Sequence, residues 1–112
     1  MMNEIVCLWK APTLEFAEEF ALSGFNAKAF KLQPDIYDGK AYFAISESLA
    51  KGDAWCYGGG IIEVRMKRSD YVDHFMSFEQ ICMGTTEIEV AIPREKLEVF
   101  NRLTLQRIWH HD

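Results

Sequence analysis

The chain has 112 residues, 49% of them hydrophobic and 13% aromatic, which sets one domain with a buried core and excludes a disordered segment. Twelve Lys and Arg against seventeen Asp and Glu give a net charge of −5, so long-range steering disfavours nucleic-acid backbones and favours basic partners. No apolar run approaches the ~18 residues of a membrane span, and Glu4 stands where a signal peptide needs a basic residue; the expectation is cytoplasmic action without a membrane partner.

Ile5 to Trp9 is an apolar run closed by Pro12, the pattern of a buried first strand. Thr13 is placed to cap a helix in which Leu14, Ala17, Phe20 and Ala21 share one side and Glu15, Glu18 and Glu19 the other, with Gly24 as its stop. Residues 25–40 show turn chemistry at Gln33 to Asp35 and Tyr37 to Gly39 and no clear period. Ala41 to Ile45 reads as a second strand, and Ser46 as the cap of a short helix that weakens at Gly52.

After the breaker Gly58 to Gly60, Ile62, Val64 and Met66 alternate with Ile61, Glu63 and Arg65, the period of a strand with one face on the core. Ser69 can cap a helix with Tyr71, Val72, Phe75 and Met76 on one side. Thr86 to Ile92 alternates again, Ile88, Val90 and Ile92 against Glu87, Glu89 and Ala91. Pro93 suits the first position of a helix over 94–100 that Asn101 can end, and Leu103 to Trp109 reads as a last strand. Strands and short helices mix without a regular βαβ repeat, so the expected class is α+β: a single small domain of mostly antiparallel split sheets with short helices.

Glu87 and Glu89 stand two apart on one strand, roughly 6.5–7 Å between Cα atoms, able to polarise a hydroxyl and to orient a substrate. A half-exposed strand shows the same alternation. Tyr42 and Phe43 offer one ring to each strand face, for stacking or for the core. Ser46 and Ser48 could hold a sugar or phosphate, or Ser46 could be an N-cap alone. Lys10, at the end of the first strand, could hold a phosphate or be solvated.

His74 sits on a helix, and His110 and His111 at a carboxyl end expected to fray, so no ligand set for a metal converges. Cys7, Cys56 and Cys82 form no CxxC pair, an odd number that makes a poor disulfide framework, and their apolar or aromatic neighbours keep a thiol protonated.

Three stretches carry more than these separate readings: Asp38 to Ala50, Gly59 to Met66 and Thr86 to Pro93. In this order and spacing they resemble the nucleotide-binding half of small bacterial ADP-ribosyltransferase-like domains, of the kind found as toxin tips and in phage and conflict-system proteins. With Leu8, Trp9 and Lys10 ahead of them and a Leu-x-x-Phe-Asn helix behind, the resemblance covers residues 5 to about 107.

In that family the first strand supplies an Arg or His that holds the ribose and phosphate of NAD. The second supplies a Ser or Tyr that shapes the nicotinamide pocket, and the third an acidic residue that orients ribose and activates the acceptor. The resemblance therefore implies Lys10 in the first position, Tyr42 in the second with Phe43 and Ser46 beside it, and Glu87 or Glu89 in the third. Lys10 departs from the pattern, since an ammonium lacks the bidentate fork of Arg.

The implied activity is transfer of ADP-ribose from NAD to a macromolecular acceptor, protein rather than nucleic acid, by a toxin or conflict-system effector with a cognate immunity or target protein, acting in the cytoplasm, its own or that of a cell into which it is delivered. The acidic residues Glu15, Glu18 and Glu19 support a different class: a non-enzymatic immunity, inhibitor or interaction protein that binds a basic partner.

Overall fold

The computed structural model describes residues 4–30, 32–33 and 37–110, the side chains of 32, 33, 37 and 53–56 excepted. Along the chain run β1 (Ile5–Lys10), α1 (Leu14–Ser23), β2 (Leu32–Gln33), β3 (Tyr37–Asp38), β4 (Ala41–Ala44), α2 (Glu47–Tyr57), β5 (Ile61–Lys67), α3 (Arg68–His74), β6 (Glu79–Ile81), β7 (Ile88–Ile92), α4 (Leu97–Leu103) and β8 (Gln106–His110). Six strands form one antiparallel sheet in the order β6-β7-β4-β1-β5-β8, and β2 pairs with β3 in a separate hairpin. The result is a small α+β domain with short helices.

Ile62, Val64 and Met66 of β5 are fully buried on the core face, as their period predicts, but Ile61 and Glu63 on the other face are buried too, at 7% and 8% exposure. With Leu8, Ala41, Phe43, Val90 and Ile92, the first three form the core face of the sheet, against Phe20, Phe25, Tyr71, Phe75, Leu97 and Phe100. Five of these are phenylalanines, packed edge-on or tilted, as for Phe25 on Phe43 at 4.9 Å and Phe43 on Phe100 at 4.7 Å. On the opposite face α2 lays Leu49 and Ala50 over Trp9, Ala44 and Ile61.

Several boundaries differ from expectation. Leu14 is 71% exposed, because the first turn of α1 precedes its contact with the sheet. Thr13 occupies the N-cap of α1 without a side-chain bond. Helix α2 continues through Gly52 to Tyr57, since burial of Leu49 and Ala50 outweighs the propensity cost of one exposed glycine. Helix α3 starts at Arg68, so Ser69 lies inside it, and Val72 is exposed. Pro93 precedes a 3-10 turn (Arg94–Lys96) rather than opening a helix, and α4 runs past Asn101 to Leu103.

The Gly58 to Gly60 breaker is a true turn: Gly58 and Gly60 have φ of 76° and 73°, and a Cβ on Gly59 would lie 2.3 Å from the Pro12 carbonyl oxygen. His111, the turn residues Pro34 and Asp35, and the side chain of Cys56 fall outside what is described.

Candidate active-site cleft

The sheet has a weak seam. Six registered pairs join β1 to β5, but Trp9 with Ala44 is the one pair that joins β1 to β4. Beyond it the strands part, and the gap opens into a cleft of about 330 Å³, near the lower end of small-ligand sites. Trp9, Lys10, Phe16, Phe30, Tyr42, Phe43, Leu49, Tyr57 and Glu89 are among its walls, so β1, β4, β7, α1 and α2 all contribute.

Lys10 follows Leu8 on the core-facing side of β1, which draws its stem into the seam. Its ammonium donates to the Tyr42 carbonyl at 3.0 Å and lies 5.2 and 5.4 Å from the ring centres of Phe30 and Phe43. A solvated lysine is therefore not what the structure shows. The cation bridges two strands where ladder bonds stop and rests against aromatic faces, which suit an ammonium withdrawn from water. Phe43 is itself 1% exposed, a core ring that also backs the cleft.

Tyr42 projects from the opposite face of β4, with its hydroxyl donating to the Asp38 carboxylate. Burial pushes the phenol well above its ordinary range, and Asp38 and the charge of Glu89 push further the same way. Glu89 sits across from Ala44 on one side and Gln80 on the other, and the Gln80 amide donates to Glu89 Oε2 at 2.8 Å.

The two carboxylates that the spacing pairs are separated by the fold. Strand β7 begins at Ile88, so Glu87 precedes it and accepts the Ser46 hydroxyl at 3.0 Å. The same Ser46 Oγ accepts the Leu49 amide at 3.2 Å, a cap of α2. Ser46 and Glu87 thus tie the start of α2 to the end of the β6–β7 connection, and neither is among the cleft's lining residues. Lys10, Tyr42, Phe43 and Glu89 are brought together there. Asp38 and Gln80, which hold two of them, were not singled out by sequence; the Asp38-Gly-Lys turn, four residues before Tyr42, is the signal that could have found the first.

A second polar cluster lies on the α2 side of the sheet, along β1, β5 and β8. Glu63 is 8% exposed and accepts from Arg65 Nε at 2.7 Å, contacts His110 Nε2 at 3.0 Å and accepts weakly from the Cys7 thiol at 3.6 Å. Burial opposes its charge, but the Arg65 and His110 bonds prevail and hold the carboxyl below its ordinary range. His110 is thus a paired member of β8 rather than a frayed end, and Cys7 keeps charged company, not apolar. Burial and the Glu63 charge push its thiol up, away from the reactive thiolate.

Among the described residues no group of three or more His, Cys, Asp or Glu is placed to hold a metal ion, and no helix is long and apolar enough to cross a membrane. Comparisons with protein-family models, with curated proteins and with solved structures gave no match, so the reading of the cleft rests on its own geometry.

Proposed function

We propose that the cleft binds NAD and that the protein is an ADP-ribosyltransferase acting on a macromolecular acceptor, as a toxin or conflict-system effector would. The observation that supports this is convergence: Lys10, Tyr42 and Glu89, from three strands and far apart in sequence, line one cavity with aromatic walls. A flat ring packs against Phe30, Trp9 or Tyr57, and ribose hydroxyls donate to Glu89. As the nicotinamide–ribose bond breaks, its electron pair leaves with nicotinamide, and the Glu89 carboxylate stabilises the positive charge on the ribose ring. Lys10, the sole cation among the described lining residues, meets a phosphate by exchanging the Tyr42 carbonyl for it. Glu89, rather than Glu87, is the catalytic carboxylate in this scheme.

The test is an NAD titration followed by thermal unfolding. A ligand that binds the native state alone stabilises it by about 2.7 kcal/mol at a hundredfold excess over Kd. Glu89→Gln is expected to keep NAD binding and lose nicotinamide release, whereas Glu87→Gln keeps both. No thermal shift at millimolar NAD would sink the proposal.

A non-enzymatic interaction protein is the second reading. Glu15, Glu18 and Glu19 are all exposed on α1, between Leu14 and Leu22 at 71% and 73% exposure, and none forms an ion pair among the described residues. That surface suits a basic partner. In this case NAD changes nothing, while charge reversal at these three positions abolishes partner association.

A further inference from the structure

One wall of the cleft, formed by Tyr42 and Glu89, presents acceptors, and a residue outside the lining makes it so. Asp38 ends β3, and Gly39 with φ of 76° turns the chain into β4. Across that turn Asp38 Oδ1 accepts the Lys40 amide at 3.0 Å, and Oδ2 accepts the Tyr42 hydroxyl. Burial opposes ionisation of Asp38, but the Tyr42 and Lys40 bonds and the Lys40 charge hold it ionised, its carboxyl below the ordinary range.

A phenol has one proton to give. With that proton directed at Asp38, the Tyr42 oxygen meets the cleft through its lone pairs. Glu89 is an acceptor by chemistry, and Gln80 occupies Oε2, leaving Oε1 for a ligand. Asp38 and Glu89 are the two carboxylates whose charge bears on the phenol. Without Asp38 the hydroxyl proton is free to turn into the cleft, where it takes the place of a ligand's donor.

We propose that Asp38 is a positioning residue for this cleft: by taking the Tyr42 proton it presents Tyr42 and Glu89 as a pair of acceptors, which select a ligand group with two hydrogen-bond donors. A vicinal diol and a carboxamide NH2 are such groups. A phosphate or carboxylate is refused at this wall. The identification of NAD as ligand rests on the transferase reading, but the direction of the Tyr42 proton does not.

The test begins without ligand. In protein labelled with 13C at tyrosine Cζ, the Tyr42 resonance, assigned by its loss in Tyr42→Phe, reports both hydrogen bonding and ionisation of the phenol. In the unsubstituted protein it should titrate well above the ordinary tyrosine value of about 10. Asp38→Ala should move the resonance at neutral pH and lower the titration by at least about one unit. Asp38→Asn, which keeps an acceptor oxygen in the same place, should restore the neutral-pH resonance. Asp38 is exposed, and circular dichroism verifies that both variants fold.

With NAD as probe, Asp38→Ala should raise Kd about tenfold, the equivalent of one hydrogen bond, and Asp38→Asn by no more than about threefold. A Tyr42 resonance and titration unchanged in Asp38→Ala would overturn the assignment. If the resonance shifts as expected but the unsubstituted protein ignores millimolar NAD, the transferase reading falls and the role of Asp38 stands.

Discussion

Removing the side chain of Asn101 tests how the cleft wall is supported from behind. Asn101 Oδ1 accepts the Phe25 amide at 2.8 Å, and Nδ2 donates to the Phe25 carbonyl at 3.0 Å. One side chain thus satisfies both main-chain groups of a residue 76 positions away whose ring is 1% exposed and packs on Phe43. Gly24 makes room for this: its φ is 94°, and a Cβ there would lie 2.8 Å from Asn101 Oδ1.

Asn101→Ala leaves two polar groups without these partners, each costing about 1–3 kcal/mol. Asn101 is half-buried, so water reaches part of the gap and each cost stays near the bottom of that range, about 2–3 kcal/mol in all. With a urea m-value of about 1–1.5 kcal/mol/M for a chain this size, the unfolding midpoint should fall by about 2 M. Asn101→Asp keeps the acceptor and loses the donor, so its loss should fall between those of Asn101→Ala and the unsubstituted protein. A midpoint within about 0.3 M for Asn101→Ala would refute the reasoning.

Two further perturbations probe other parts of the fold. Gly59→Ala places its methyl within 3 Å of the Pro12 and Thr13 main-chain oxygens, which cannot swing aside; it should cost about 1–3 kcal/mol in thermal unfolding. Glu63 supplies a pH dependence: its folded pKa is depressed, so the unfolded chain takes up the proton first, and its contribution is present above the ordinary carboxyl range and lost as pH falls through the folded value. Urea unfolding between pH 7 and pH 3 should show a steeper loss than in Glu63→Gln, and parallel curves would remove Glu63 from the account.

The sheet was legible where apolar residues alternate toward the core, as Ile62, Val64 and Met66 do in β5 and Val90 and Ile92 in β7, although both strands bury residues of the other face as well. Short elements escaped this logic. β6 has three residues, all exposed, and exists because β7 offers it a partner, which no local pattern announces. The length of α2 was hidden for a related reason, since Trp9 and Ala44 supply its stability from elsewhere in the chain.

At the cleft, Lys10, Tyr42 and Glu89 could be picked out as polar or aromatic positions on strands, but their surroundings are products of pairing. Gln80 reaches Glu89 only through the β6–β7 register, and Phe30 reaches Lys10 only after the chain returns over β1. Glu87 and Glu89 were indistinguishable by spacing because the decisive fact is where β7 begins. Glu63 became buried not through its alternation but because β5 lies between β1 and β8, whose Cys7 and His110 close over it.

The single registered pair between β1 and β4 also bears on how the two halves of this sheet are held. It divides six strands into two three-stranded slabs, β6-β7-β4 and β1-β5-β8, each internally laddered and joined at Trp9 and Ala44 as by a hinge. Relative rotation of the slabs breaks few backbone bonds and is resisted instead by the core that Leu8 and Val64 share with Phe43 and Val90 across the seam. A molecule seated between them acts as a suture. Its binding should slow amide exchange on both slabs at once, far beyond the residues it touches.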